Sequence, residues 1–265
     1  MNDDFAKSYG SYALVTGASA GLGEAIAKQI AQRGLNLVLV ARRREKLEAL
    51  ATSLVKAHGI AVKTVILDLG REGAAEELAR QTSEIDIGLV VMNAASLVLG
   101  RFVENDFEAE RASFRLNTVG PFEMSHLFGK RLKQRGRGGI LFVSSLIGFA
   151  ACPYQANYAA GKNYITSLGM ALHVEMKAAG VDVTVIAPGG MKTEGLQNAG
   201  YDFSSVPQMD PEEVARIGLD ALGSRDLIVP GAANAFAAFM IKYIVPRSAS
   251  VRLFGNYIGK LIGAL

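Results

Sequence analysis

The apolar residues of this chain gather in short runs, separated by stretches in which they recur every third or fourth position. The runs Tyr12–Thr16, Leu35–Val40, Val62–Leu67, Ile87–Met92, Gly139–Val143, Val181–Ala187 and Leu227–Val229 are continuous rather than alternating. That is the pattern of strands covered on both faces. Between them, Leu47, Leu50 and Leu54 keep helical spacing, and Ala25, Ile26 and Ile30 stand opposite Glu24, Lys28 and Gln32. Buried strands alternating with such helices predict an α/β fold: a doubly wound parallel sheet of about seven strands with helices on both faces. Gly34 and Gly180 stand where helix C-termini are expected. With no repeat, low-complexity segment or linker, residues 1–265 read as one domain, and 231–265 as its C-terminal helical extension.

That extension has its own pattern. Gly231–Val245 is apolar but contains Lys242 and falls short of the roughly 20 residues a membrane span needs. Beyond Pro246, Val251, Phe254, Ile258, Leu261, Ile262 and Leu265 line one helical face, and Arg252, Asn256 and Lys260 another. Two readings stand: a helix packed on its own domain or a second subunit, or an anchor lying on a membrane surface.

Composition narrows the class. Half of the 265 residues are hydrophobic, ample for a core. A single cysteine, Cys152, excludes an intramolecular disulfide and fits a reducing, cytoplasmic setting. The net charge of +3, with only the short Arg42–Arg43–Arg44 run, argues against nucleic acid as a partner. Met1–Gly10 carries Asp3 and Asp4 and no apolar stretch, unlike a secretory signal. His58, His126 and His173 lie far apart with no metal-ligand spacing, so no metal site is expected.

The 29 glycines are informative by position. The first strand runs into Thr16-Gly17-Ala18-Ser19-Ala20-Gly21-Leu22-Gly23, and a helix follows at once. Glycines let the backbone turn tightly and approach a ligand, and the helix start offers free N–H groups to a pyrophosphate. At the start of a βαβ unit this is a dinucleotide-binding turn. The second strand should then end in an acid that reads a ribose hydroxyl. It ends instead in Ala41-Arg42-Arg43. Arginine forks match phosphate oxygens, so the expected cofactor is NADP(H), with Arg42 the main contact and Arg43 the second.

A second constellation carries proton chemistry. Ser145 ends the strand Ile140–Val143, and Tyr158 and Lys162 follow at helical i, i+4 spacing. The tyrosine can donate a proton, the serine can polarise a carbonyl oxygen, and the ammonium is expected to lower the phenol's pKa.

On these residues the chain resembles the short-chain dehydrogenase/reductase family over about Tyr12–Gly231, which implies a Rossmann-type fold. The resemblance implies a catalytic tetrad of Asn117, Ser145, Tyr158 and Lys162. It implies dinucleotide contacts from Thr16, Gly17, Ser19, Gly21, Leu22 and Gly23, from Asp68 and Leu69 after the third strand, and from Asn93, Ala94 and Ala95 after the fourth. Pro188, Gly189, Met191 and Thr193 resemble the segment that closes over the nicotinamide. Lys162 would also hold the ribose, and Asn117 a water in a proton relay. The hydride transferred would be the pro-S one. Two positions depart from the family pattern. Ala95 stands where glycine is usual, so ordinary φ is expected there, and Gly161 precedes the lysine where serine is common. The motif flanks are similar to those of long-chain 3-oxoacyl and 17β-hydroxysteroid reductases.

Three stretches are expected to set specificity: Ser96–Asn105, Leu146–Gln155 and Met191–Met209. Leu97, Val98, Leu99, Phe102, Ile147, Phe149, Leu196 and Phe203 make them apolar, which suits a lipophilic ketone, aldehyde or 3-oxoacyl group. Cys152 reads as an apolar filler more than a reactive thiol. The family's habit of pairing the helices after Asp106 and Asn157 implies a homodimer or homotetramer. The competing function is a dinucleotide sensor or scaffold without chemistry; the complete tetrad argues against it.

Overall fold

The computed structural model describes residues 3–193 and 207–264. Its helices are α1 (Asp3–Tyr9), α2 (Gly21–Gln32), α3 (Arg44–His58), α4 (Ala74–Gln81), α5 (Phe107–Phe114), α6 (Gly120–Arg135), α7 (Ala156–Lys177), α8 (Pro211–Ala221), α9 (Ala232–Phe239) and α10 (Arg247–Leu261). Seven parallel strands form one sheet in the order β3-β2-β1-β4-β5-β6-β9. They are β1 (Tyr12–Thr16), β2 (Asn36–Ala41), β3 (Val62–Ile66), β4 (Ile87–Met92), β5 (Gly138–Val143), β6 (Val181–Ile186) and β9 (Leu227–Ile228). Each lies within about a residue of its apolar run. The small strands β7 (Gly190–Met191) and β8 (Gln208–Met209), which no apolar run announces, pair separately.

Strand residues alternate between two cores. In β1, Ala13 and Val15 face a core shared with α2, α3 and α8, while Leu14 faces one shared with α4, α6 and α7. Both faces are covered, which is why these strands read as unbroken apolar runs. Strand order reverses between β1 and β4, so a crevice opens at their carboxyl ends.

The sequence pattern did not announce α1. It packs at the opposite, amino-terminal end of the sheet, with Phe5 and Tyr9 buried in the first core. The Tyr9 hydroxyl donates to Asp182 at 2.8 Å. Gly88 and Gly139 leave the room that Tyr9 fills.

Candidate active site

The crevice is a cleft of about 430 Å³ lined from β1 and α2 by Gly17, Ser19, Gly21 and Leu22. Arg42 and Arg43 after β2, Asp68 and Leu69 after β3, and Asn93, Ala94 and Ala95 after β4 complete three more walls. Met191 and Thr193 close it from the β7 side. Gly23 lies behind this lining: a Cβ there would collide with the Gly17 carbonyl and come within 2.5 Å of Asn93 Nδ2. Its role is the close fit of α2 to β4. Gly17 takes φ +66°, which only glycine adopts readily.

The turn is pinned from β4. Asn93 Nδ2 donates to the Thr16 carbonyl at 2.9 Å, and Asn93 N donates to Thr16 Oγ1 at 2.9 Å. Ala95 has ordinary φ, as expected where alanine replaces glycine. Ala20 makes no side-chain cap on α2, so the first-turn N–H groups keep their capacity to bind an anion.

The two arginines sit differently. Arg43 reaches back to the glycine turn, donating from Nη2 to Ser19 Oγ at 3.2 Å. Arg42 points to Asp68, 3.8 Å between Nη1 and Oδ2. Asp68 Oδ1 accepts from Gly70 N at 2.9 Å. Guanidinium donors and the glycine cradle needed for a pyrophosphate occupy one cleft, so the residues present fit a dinucleotide.

Ser145, Tyr158 and Lys162 meet at the carboxyl end of β5. The two adjacent serines divide the work. Ser144 is buried, donates to the Lys162 carbonyl at 2.9 Å and lies 2.7 Å from Thr166 Oγ1. Ser145 stays half-buried beside Tyr158, and its Oγ accepts from Ile147 N at 3.4 Å. Lys162 is buried, its Nζ donating to the Val143 carbonyl at 2.8 Å and lying 5.5 Å from the Tyr158 ring centre.

Burial dominates the electrostatics. It pushes the Tyr158 phenol up, and the Ser145 hydroxyl beside it only partly offsets this. It pushes Lys162 down to about 8. The expected lowering of the tyrosine by the lysine is therefore corrected. The Lys162 Nζ bonds a main-chain carbonyl, and desolvation sets the direction at the phenol.

Asn117 lies in a π-turn, Arg115–Val119, between α5 and α6. Its side chain is fully engaged: Nδ2 donates to the Ser96 carbonyl (2.7 Å) and to Ser113 Oγ (3.0 Å), and Oδ1 accepts from Ser96 N (3.1 Å). It fixes the Ser96 loop. Gly161 lets α7 approach this turn; a Cβ there would come 2.9 Å from Thr118 Oγ1, a buried hydroxyl with no partner in the described residues.

Pro188 and Gly189 join the site through neighbours rather than the cleft lining. The Pro188 carbonyl accepts from Leu146 N at 2.8 Å. Gly189 lies against Asn234 of α9, whose Nδ2 donates to the Pro230 carbonyl at 2.9 Å. Asn234 had no motif to announce it. Nor did Glu110, a buried carboxylate on α5 that accepts from Asn157 Nδ2 (2.6 Å) and Asn105 Nδ2 (2.7 Å). It ties the Ser96–Asn105 stretch to the start of the catalytic helix.

On the substrate side, Leu99, Ile147, Cys152 and Tyr154 pack with Phe254, Ile258 and Leu261 of α10. The C-terminal helix is thus packed on its own chain over two of the three specificity stretches. Burial raises the Cys152 thiol to about 11, in keeping with an apolar filler. Leu196 and Phe203 lie outside the described residues.

The profile of the short chain dehydrogenases matches residues 11–202, and the chain belongs to that family. It is an oxidoreductase of the alcohol/carbonyl pair working with a nicotinamide dinucleotide. The 7beta-hydroxysteroid dehydrogenase of Clostridium sardiniense is 30% identical over 233 residues, covering 87% of this chain and 89% of its own. A solved 7beta-hydroxysteroid dehydrogenase superposes with a TM-score of 0.87 at 28% identity, covering 94% of this chain and 98% of its own. A short-chain dehydrogenase from Sphingobium yanoikuyae, solved with NADPH, superposes with a TM-score of 0.79 at 30% identity over 86% of this chain and 91% of its own.

Proposed function

We propose that this protein is an NADPH-dependent reductase of bulky lipophilic carbonyl compounds: ketones, aldehydes or 3-oxoacyl groups. The observation that carries the reading is the meeting of Ser145, Tyr158 and Lys162 beside a glycine-lined cleft that bears two arginines. The similarity to 7beta-hydroxysteroid dehydrogenases and the apolar cluster under α10 support a lipophilic substrate. Arg42 and Arg43, in the place of an acid, support NADP(H) over NAD(H), as does the NADPH-bound structural relative.

Gly17, Ser19, Gly21 and Leu22 with the α2 amino terminus would hold the pyrophosphate, Arg42 and Arg43 the 2′-phosphate, and Asp68 and Leu69 the adenine end. Asn93, Ala94, Ala95, Pro188, Gly189, Met191 and Thr193 would enclose the rest. A bound reduced nicotinamide supplies the hydride. Ser145 holds the carbonyl oxygen and polarises it. Tyr158, kept a neutral phenol by burial, donates the proton to that oxygen. Lys162, held by Val143 and Ser144, steadies the ribose and supplies positive charge as the phenol gives up its proton. Asn117 fixes the loop beside them, and a water on its main chain would refill the phenol.

The exposed Phe107, Phe114 and Phe122 of α5 and α6 support pairing of two copies. No helix of the described residues is long and apolar enough to cross a membrane. The buried lone cysteine suits a reducing, cytoplasmic compartment.

The test is NADPH and NADH oxidation against a panel of steroid ketones, hydrophobic aldehydes and 3-oxoacyl thioesters. Turnover with NADPH on one of these is expected. Tight dinucleotide binding without turnover on any would favour the sensor reading.

A further inference from the structure

The C-terminal elements present two faces of different character. The inner face of α10, through Phe254, Ile258 and Leu261, is taken up by the loops around Cys152. The outer faces are not covered among the described residues. On α9 and the π-turn that follows, Phe236, Phe239 and Tyr243 fall at i, i+3 and i+7, with Phe236 66% and Tyr243 67% exposed. On α10, Leu253 is 66% exposed and lies one turn before Tyr257. Exposed aromatic and aliphatic residues in this density mark a surface built to meet something apolar.

Charge selects what it meets. Residues 227–265 contain Lys242, Arg247, Arg252 and Lys260 and no Asp or Glu. All four cations are exposed, and none of the described ion pairs includes one of them. A second copy docking by the same face would set Arg252 and Lys260, which flank Leu253 and Tyr257, against their own counterparts, since a two-fold contact pairs a patch with itself. An anionic lipid surface answers both features: headgroups for the cations and an interfacial layer for the aromatic rings. Neither helix can cross the bilayer, so the contact lies in the interface plane.

We propose that the outer face of α9 and α10 docks on an anionic membrane surface. The same helices touch the site. Lys242 Nζ stands 5.3 Å over the Phe149 ring, and α10 roofs the loop of Cys152 and Tyr154. Docking brings these substrate-side loops next to the layer in which a lipophilic carbonyl compound dissolves.

The test is co-sedimentation of the full chain with phosphatidylcholine vesicles, with and without phosphatidylglycerol, at low and high salt. The expected result is binding only to the anionic vesicles, weakened by salt. Arg252→Gln with Lys260→Gln should lower the partition coefficient about 25-fold, at about fivefold per cation. Phe236→Ser with Leu253→Ser should also release the protein. Both pairs are surface changes and should leave reduction of a water-soluble ketone intact. No binding, or equal binding to both vesicle types, overturns the proposal. So does a change from dimer to monomer in the apolar variant, which would make the face a subunit contact. Binding is read without turnover. An inactive protein that binds vesicles strikes the reductase reading alone, and an active one that stays in solution strikes this proposal alone.

Discussion

Lys162 gives the sharpest physical prediction, because its burial has a sign and a size. Its ammonium is held below the usual lysine value of 10.5, at about 8, by desolvation. At roughly 1.4 kcal/mol for each tenfold change in proton affinity, that penalises the charged folded form by about 3 kcal/mol. Between about pH 8 and about pH 10.5 the unfolded chain binds the proton more tightly, so stability rises with pH across that window. The gain is complete above it and lost as pH falls through about 8. Lys162→Met removes the titrating group. It also leaves the Val143 carbonyl unpaired, at a cost of about 1 kcal/mol. The variant should therefore be about 2 kcal/mol more stable than the parent at neutral pH and lose that advantage by the top of the window. Urea unfolding of both proteins in parallel, without cofactor, measures the difference. A difference that stays constant with pH would refute the claim that burial depresses this lysine.

Three further outcomes follow from the site. Arg42→Asp should weaken NADPH at least about tenfold more than NADH, the size of one charged hydrogen bond lost; fluorescence titration with both dinucleotides checks it, and equal losses would deny the arginine a phosphate. Ser145→Ala should lower kcat about 100-fold or more, at a cost in stability of about 1 kcal/mol for the bond it accepts from Ile147 N, whereas Ser144→Ala should lower stability by about 1 kcal/mol with little change in kcat, Thr166 keeping its own bond to the Lys162 carbonyl; steady-state kinetics and urea unfolding of both separate the roles. Thr118→Val removes a buried hydroxyl that has no partner in the described residues and should raise stability by about 1 kcal/mol in the same unfolding assay.

What was legible in the chain follows from how each feature is encoded. The seven strands of the main sheet were readable because both faces are buried, so every strand residue is under the same pressure to be apolar. The glycine turn was readable because close approach excludes side chains at Gly17 and Gly23. The helix α1 was not, since seven mixed residues carry too short a period, and its anchor Tyr9 is accommodated by glycines far away in sequence. The polar stripe of Glu110, Ser113 and Asn117 looks like a solvated helix face; only the fold reveals that it faces the Ser96 loop and α7. The direction of the Tyr158 shift was also hidden. Spacing gives the neighbour but not the depth of burial, and here burial decides. The C-terminal helix was recognisable as amphipathic, yet its placement over the substrate loops needed tertiary contacts.

The central claim is that Tyr158 is the proton donor of an NADPH-linked carbonyl reduction. Tyr158→Phe keeps the ring that packs near Lys162 and removes only the hydroxyl. Turnover should be measured in this variant by NADPH oxidation with a ketone that the parent reduces, and NADPH affinity by fluorescence. The account predicts turnover lowered by at least about 100-fold with NADPH affinity within about threefold of the parent. Near-parental turnover in a variant that binds NADPH normally would contradict it.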